Sequence, residues 1–202
     1  MPEFQFGFNE LEDVKHSINE YINSKKHDKN LFLLKHSSEL YSQSNMISLK
    51  ILLDKGFKGV FISFQRPRKN LDQWLKKNKI DERKLKILDY SSQDRENVAG
   101  LYKEIFDSLE TISNDKKFVF IDSLNTMALC NSEMWVDDFT DRLMDNLGGK
   151  TFENTIVVVN VAKELSKQNI VKNFVSYADG VLDISNPKGK YSSDLTKNSV
   201  FT

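Results

Sequence analysis

Cysteine, proline and glycine are all scarce in this chain of 202 residues: one, three and eight, respectively. Cys130 has no second cysteine with which to close a disulfide, and no Cys/His group has metal-ligand spacing, so a reducing, cytoplasmic setting without a structural metal is expected. Net charge is lacking too. Lys plus Arg and Asp plus Glu stand at 29 each, which excludes a whole-molecule field drawing the protein to nucleic acid or an anionic membrane. Apolar runs reach only about five residues, and Met1 to Asn9 holds no basic stretch followed by an apolar one. Neither a membrane span nor a secretory leader is expected.

What is present is a regular alternation of short β-branched or aromatic runs with longer amphipathic stretches, in a length that suits one substantial core. Asn9 to Ser24 reads as a helix, with Leu11, Val14, Ile18, Tyr21 and Ile22 at helical spacing and Asn9 as its cap. Leu31 to Leu34 is a continuous apolar run of the kind that suits a strand buried on both faces. A helix follows from Met46 to Leu53, stopping at Gly56, and then a strand, Val60 to Phe64. Asn70 to Asn78 places Leu71, Trp74 and Leu75 on one helical face, and Leu85 to Asp89 reads as a more exposed strand. Ser91 or Ser92 caps a helix carrying Val98, Leu101, Tyr102, Ile105, Phe106 and Leu109. Phe118 to Asp122 is a strand ending in a carboxylate, and Ser132 starts a helix with Trp135, Phe139, Leu143 and Leu147. Thr155 to Val159 is the most strand-like run, and Val175 to Ile184 closes the pattern, with Asp179-Gly180 ahead of Val181. The pattern predicts a mostly parallel sheet covered by helices. After Ser185 the composition turns polar, predicting a mobile tail or an edge hairpin.

Ligands of parallel sheets bind at the carboxyl ends of the strands, so the residues just after each apolar run carry the chemistry. Those residues are Lys35 to Ser44, Gln65 to Arg68, Asp89-Tyr90, Asp122 to Thr126 and Asn160 to Glu164. Four apolar residues followed by Asp122-Ser123 have the form of a Walker B end, where the aspartate holds Mg²⁺ beside a triphosphate. An aspartate in that place also caps the turn that follows.

Taken in order, Val60 to Phe64 with Gln65-Arg66-Pro67 and Asn70-Leu71, Leu85 to Asp89, Phe118 to Ser123, Thr155 to Val159 and Ala178 to Val181 resemble the KaiC-like branch of the RecA superfamily. The resemblance covers roughly residues 30 to 185. It implies an α/β fold, a three-layer RecA-like core with helices on both faces of a mostly parallel sheet, with the strand at Thr155 lying between the first strand and the one ending at Asp122. It also implies an archaeal source, while periodicity and composition leave a lead-in helix in residues 1–29 and a polar tail in 186–202 outside it.

Two departures from that family bear on function. Its glycine-rich phosphate loop, with Lys and Thr, belongs after the first strand, where Lys35 to Ser44 has no glycine. Without glycine the backbone N–H groups cannot curl round a phosphate, and Glu39, Leu40 and Tyr41 would repel or crowd a triphosphate. The family's catalytic carboxylate after the second strand is replaced by Gln65-Arg66, and losing a general base costs about 10²–10⁴ in rate. The resemblance therefore implies a pseudo-ATPase with no cofactor. Asp122 and Ser123 would remain as a Walker B-like vestige, and the protein would work through a protein partner, a sister ATPase or a second copy of itself. His36, Ser37, Ser38, Gln65, Arg66, Arg68 and Lys69 are the candidate ligand or partner contacts.

Two other readings use the same strand ends. Arg66, Arg68 and Lys69, with Trp74 as a stacking surface, could bind a nucleotide or single-stranded nucleic acid, although lysines there also protect an exposed sheet edge. Asp89, Asp122 and Lys163 could serve another enzyme class, but no nucleophile and base pair is identifiable. His36 near Asp122 would imitate a hydrolytic triad, which the missing Gly-x-Ser-x-Gly elbow argues against.

Overall fold

Strict alternation along five apolar runs sorts their side chains to two faces of one sheet. The computed structural model describes residues 8–23, 30–91, 98–113, 116–147, 154–165 and 168–183. The elements are α1 (Phe8–Asn23), β1 (Leu31–His36), α2 (Tyr41–Asp54), β2 (Lys58–Ser63), α3 (Arg68–Lys77), β3 (Leu85–Asp89), α4 (Val98–Thr111) and β4 (Lys117–Ile121). There follow α5 (Leu124–Cys130), α6 (Glu133–Leu147), β5 (Thr155–Ala162), α7 (Gln168–Tyr177) and β6 (Gly180–Asp183). Every strand pairs in parallel, in the order β3-β2-β4-β5-β1-β6. β5 lies between β1 and β4, as the resemblance implied, and β3 is an edge.

The two faces differ in chemistry. Phe32, Leu34, Phe61, Phe118 and Phe120 turn toward α1, α2 and α3, where they meet Ile18, Tyr21, Leu52, Leu71 and Leu75. Phe61 and Phe120 stack at 5.2 Å, and Tyr21 of α1 lies 4.6 Å from Phe32. Leu31, Leu33, Val60, Ile62, Val119, Ile121, Val157 and Val159 point the other way, onto Leu101, Ile105, Phe139 and Phe174 of α4, α6 and α7. The result is a three-layer α/β fold with aromatic packing on one side of the sheet and mostly aliphatic packing on the other.

The local pattern mispredicted several boundaries. β1 runs to His36 rather than stopping at Leu34, and a 3-10 turn, Ser38–Leu40, leads directly into α2 at Tyr41, five residues before the expected start at Met46. The Lys35–Ser44 stretch is therefore mostly regular structure, not a loop, because with no glycine or proline in it nothing interrupts helical backbone geometry. α5 was not anticipated; Ser123 caps it by accepting from Thr126 N–H at 3.2 Å. The closing segment divides into α7 and β6. Ser132 does cap its helix, accepting from Trp135 N–H at 3.2 Å. Ser91 instead donates to Asp89, while Ser92 and the polar end after Ser185 lie outside the described residues.

One glycine is required by packing and another by backbone angle. A Cβ on Gly59 of β2 would lie 2.1 Å from the Phe118 carbonyl oxygen of β4, whereas at Gly56 the space is open but φ is +84°. Gly59→Ala is expected to cost about 3 kcal/mol, the upper end for overpacking. Gly56→Ala should cost about 1 kcal/mol, from left-handed strain alone. Urea unfolding midpoints check the ranking, and equal losses would contradict it.

Candidate functional site

The sheet sends β2 and β1 into helices on the aromatic side, and β4 and β5 into helices on the other. Neighbouring strands thus part at β2/β4 and at β5/β1, the places where a parallel sheet opens a crevice. Asp122 follows β4 at the first of these. Its carboxyl is fully buried. Oδ2 accepts from the Tyr41 hydroxyl at 2.8 Å and Oδ1 from Phe64 N–H at 2.8 Å, with Gln65 N–H at 3.4 Å from Oδ2. Ser63 Oγ lies 3.0 Å from Oδ2, and Asn45 Nδ2 donates to the Asp122 carbonyl at 3.3 Å.

Burial drives the Asp122 carboxyl above the ordinary aspartate value, against the pull of Phe64, Tyr41, Ser63 and the Arg66 charge. Ser63 Oγ accepts from Arg66 N–H at 3.2 Å and lies 2.8 Å from the Arg66 carbonyl as well as 3.0 Å from Asp122. A hydroxyl has one hydrogen, which these two oxygens share.

Tyr41, in the first turn of α2, covers this carboxyl. Burial, and then the Asp122 charge, push its phenol well up, so it acts only as a neutral donor. The Arg66 guanidinium lies 4.5 Å from the Tyr41 ring centroid and 4.8 Å from that of Trp74, a cation between two aromatic rings. Trp74 Nε1 donates to Ser42 Oγ at 2.9 Å, tying α3 to α2. Arg66 Nη1 is buried with no hydrogen-bond partner.

At the second opening, His36 ends β1 with its ring fully buried. Its Nδ1 lies 2.8 Å from the Ser37 carbonyl, and burial lowers its pKa, which keeps it neutral. Its ring centroid is 6.1 Å from that of Tyr41, which bonds Asp122, so there is no direct His36–Asp122 couple of the hydrolytic kind. Ser37 precedes the 3-10 turn without a side-chain cap bond, and Ser38 N–H donates to Glu164 Oε2 at 2.9 Å. Between the two openings, Ser44 donates to Asn160 at 2.9 Å, and Asn125 exchanges two bonds with the Ala162 backbone at 3.0 and 2.6 Å.

The structure thus joins Arg66 to Asp122 but disperses the remaining candidates. Ser123 caps α5 and Gln65 is exposed. Arg68 Nε donates to Asp72 at 2.6 Å, its Nη2 reaches Glu82 at 3.7 Å, and Lys69 is exposed. Asp89 is occupied by Arg68 N–H at 2.7 Å and Ser91 Oγ at 2.6 Å, while Lys163 pairs with Asp183 at 3.7 Å. The Asp89–Asp122–Lys163 combination therefore has no shared contact. Among the described residues, no group of three His, Cys, Asp or Glu side chains is placed to hold a metal ion. The sequence reading missed Ser63 and Asn45, and held Ser44, Asn125 and Asn160 only within strand-end stretches without a role; the visible signals were polar residues interrupting the apolar runs of β2 and β5.

No protein-family model and no curated protein sequence matches this chain. Solved structures match its fold. A KaiC-like protein from the hyperthermophilic archaeon Pyrococcus horikoshii superposes with a TM-score of 0.54 at 20% identity, over 81% of this chain and 76% of that one. The flagellar accessory protein FlaH from Methanocaldococcus jannaschii gives 0.59 at 12% identity, over 82% and 75%. The chain shares the RecA-like fold of these two proteins, and no helix among the described residues is long and apolar enough to cross a membrane.

Asp122→Asn keeps an acceptor for Phe64 while abolishing titration. A carboxyl raised in the folded state contributes most at acid pH, below about 3.9, and loses that contribution as pH rises through its folded value. The stability of Asp122→Asn relative to wild type should therefore improve from acid to neutral pH, then level off. A pH-independent difference in urea midpoint would contradict this. Tyr41→Phe, which strips a donor from the buried acid, should cost about 1–3 kcal/mol by the same measurement.

Proposed function

We propose that this chain is a non-catalytic protein of RecA-like fold that acts through contacts with another protein, regulating or assembling with an active ATPase. The observation that carries this reading is the occupancy of Asp122. In nucleotide-hydrolysing relatives of this architecture an aspartate at the end of a strand serves Mg²⁺ and the bound phosphates. Here Asp122 is buried, and its two oxygens receive Tyr41, Ser63 and the Phe64 backbone. A metal-bound water would have to displace the Tyr41 hydroxyl and leave a buried group unpaired.

The neighbouring chemistry supports the same reading. Helical backbone and the side chain of Tyr41 stand where a glycine loop would cradle phosphate. Gln65, in place of a general base, is an exposed amide without basicity. The nucleic-acid reading gains less support, since Arg66 lies between two rings and Arg68 between two carboxylates. Of the three cations it needs, only Lys69 is unengaged by an ion pair or ring in the described contacts.

Melting with and without millimolar ATP or ADP and Mg²⁺ tests the proposal, because a ligand bound only to the folded state at about 100 times its Kd adds about 2.7 kcal/mol. No upward shift is expected, and no Mg²⁺-dependent ATP turnover above the level of Asp122→Asn. Turnover abolished by that substitution would overturn the reading.

A further inference from the structure

The proposed reading requires a surface for a partner, and a groove lies away from the sheet ends. Where α5 meets α6 the chain turns through Asn131-Ser132, leaving a concavity of about 660 Å³ lined by Leu129, Cys130, Met134, Trp135 and Asp138. Leu129 is 65% exposed and Met134 80%, the two large hydrophobic side chains that stand out in solvent among the described residues. They flank the same groove. Met is unbranched and polarizable, and adapts to varied apolar partners.

Trp135 gives an independent sign of an incomplete surface. It is 8% exposed and stacks on Phe139 at 5.6 Å, yet its indole Nε1–H has no hydrogen-bond partner. An unpaired buried donor is costly, and an indole N–H beside an apolar groove is a common anchor in protein interfaces.

Charge specifies the occupant. α6 carries Glu133, Asp137, Asp138, Asp141 and Asp145 against Arg142, five carboxylates to one guanidinium, and α5 carries no charge. Asp138, the charged residue of the lining, bridges Arg142 at 2.9 Å. A like-charged segment would be repelled, and a purely apolar one would leave the acidic rim without a counterpart.

We propose that the α5–α6 groove docks an amphipathic, basic helix of a partner protein, its apolar face between Leu129 and Met134 over Trp135 and its Lys or Arg residues along the acidic side of α6. This rests on the reading that the chain works through protein contacts, and it names the surface and the chemistry of the partner. Helix-in-groove recognition of this kind is carried by a few apolar anchors, with surrounding charge setting preference and on-rate.

The probe is a synthetic helical peptide with Leu at i, i+3, i+4 and i+7 and Lys elsewhere, alongside the same peptide with Glu for Lys. Each is titrated into the ¹⁵N-labelled protein. The basic peptide is expected to move the Trp135 indole resonance and leave that of Trp74 in place, with binding weakened by salt. Met134→Lys and Leu129→Lys, at exposed positions that leave the unfolding midpoint unchanged, should each weaken it about tenfold. Equal binding of the acidic peptide, a still Trp135 resonance, or unchanged affinity in both variants would overturn the proposal. Concentration-dependent self-association lost in Met134→Lys would also overturn it, by making a second copy the occupant. ATP turnover is read separately, so a failure of the non-catalytic reading is distinguishable from a failure of the groove.

Discussion

Donors from α2, the end of β2 and the segment beyond it converge on the buried carboxyl of Asp122, and the carboxyl end of the sheet is organised around it. A carboxyl removed from water is expensive unless its oxygens are satisfied, so Tyr41, Ser63 and Phe64 are held where they are by the cost of leaving it bare. Tyr41 can reach it because α2 starts early, and the Arg66 guanidinium then fits between Tyr41 and Trp74. One constraint therefore locks α2, α3 and the β2–α3 connection over a crevice that the parallel sheet would otherwise leave open.

The closed crevice and the α5–α6 groove have opposite characters. At the sheet ends polar groups are spent on one another: Ser44 with Asn160, Asn125 with Ala162, Ser38 with Glu164. Beside α6, Leu129 and Met134 face outward next to the Asp138 carboxylate. Both lie along the same connection, since Asp122 directly follows β4 and α5 begins two residues later. A protein that reads a partner instead of a nucleotide would have this distribution, with binding chemistry displaced from the strand ends to a helix pair.

The succession of strands along the chain was legible because both-face burial leaves apolar runs, and Val60–Phe64, Phe118–Ile121 and Thr155–Val159 are such runs. The edge position of β3 showed in its weaker run. α5 was hidden because Leu124–Cys130 is only seven residues long, too short for a period to emerge, and its cap, Ser123, had been read as part of a Walker B-like vestige. Of the candidate site, Asp122 and Arg66 were visible, as was the obstruction at Tyr41. Ser63 was not, because it lies inside a strand run whose apolar residues dominate the pattern, and Asn160 was placed at a strand end without its partner.

Sequence alone determined the class of fold and the absence of a glycine loop, since periodicity and residue type act locally and survive without knowledge of contacts. Tertiary structure decided what took the loop's place. Tyr41 and Asp122 are 81 residues apart, Ser63 and Asp122 59 apart, and their hydrogen bonds exist only because β4 is laid beside β2 with α2 above them. The same holds for the groove: Leu129 and Met134 read as ordinary helix residues, and only the angle between α5 and α6 leaves them uncovered. A pairing across such separations depends on strand order and register, which a one-dimensional pattern of apolar residues suggests but does not fix.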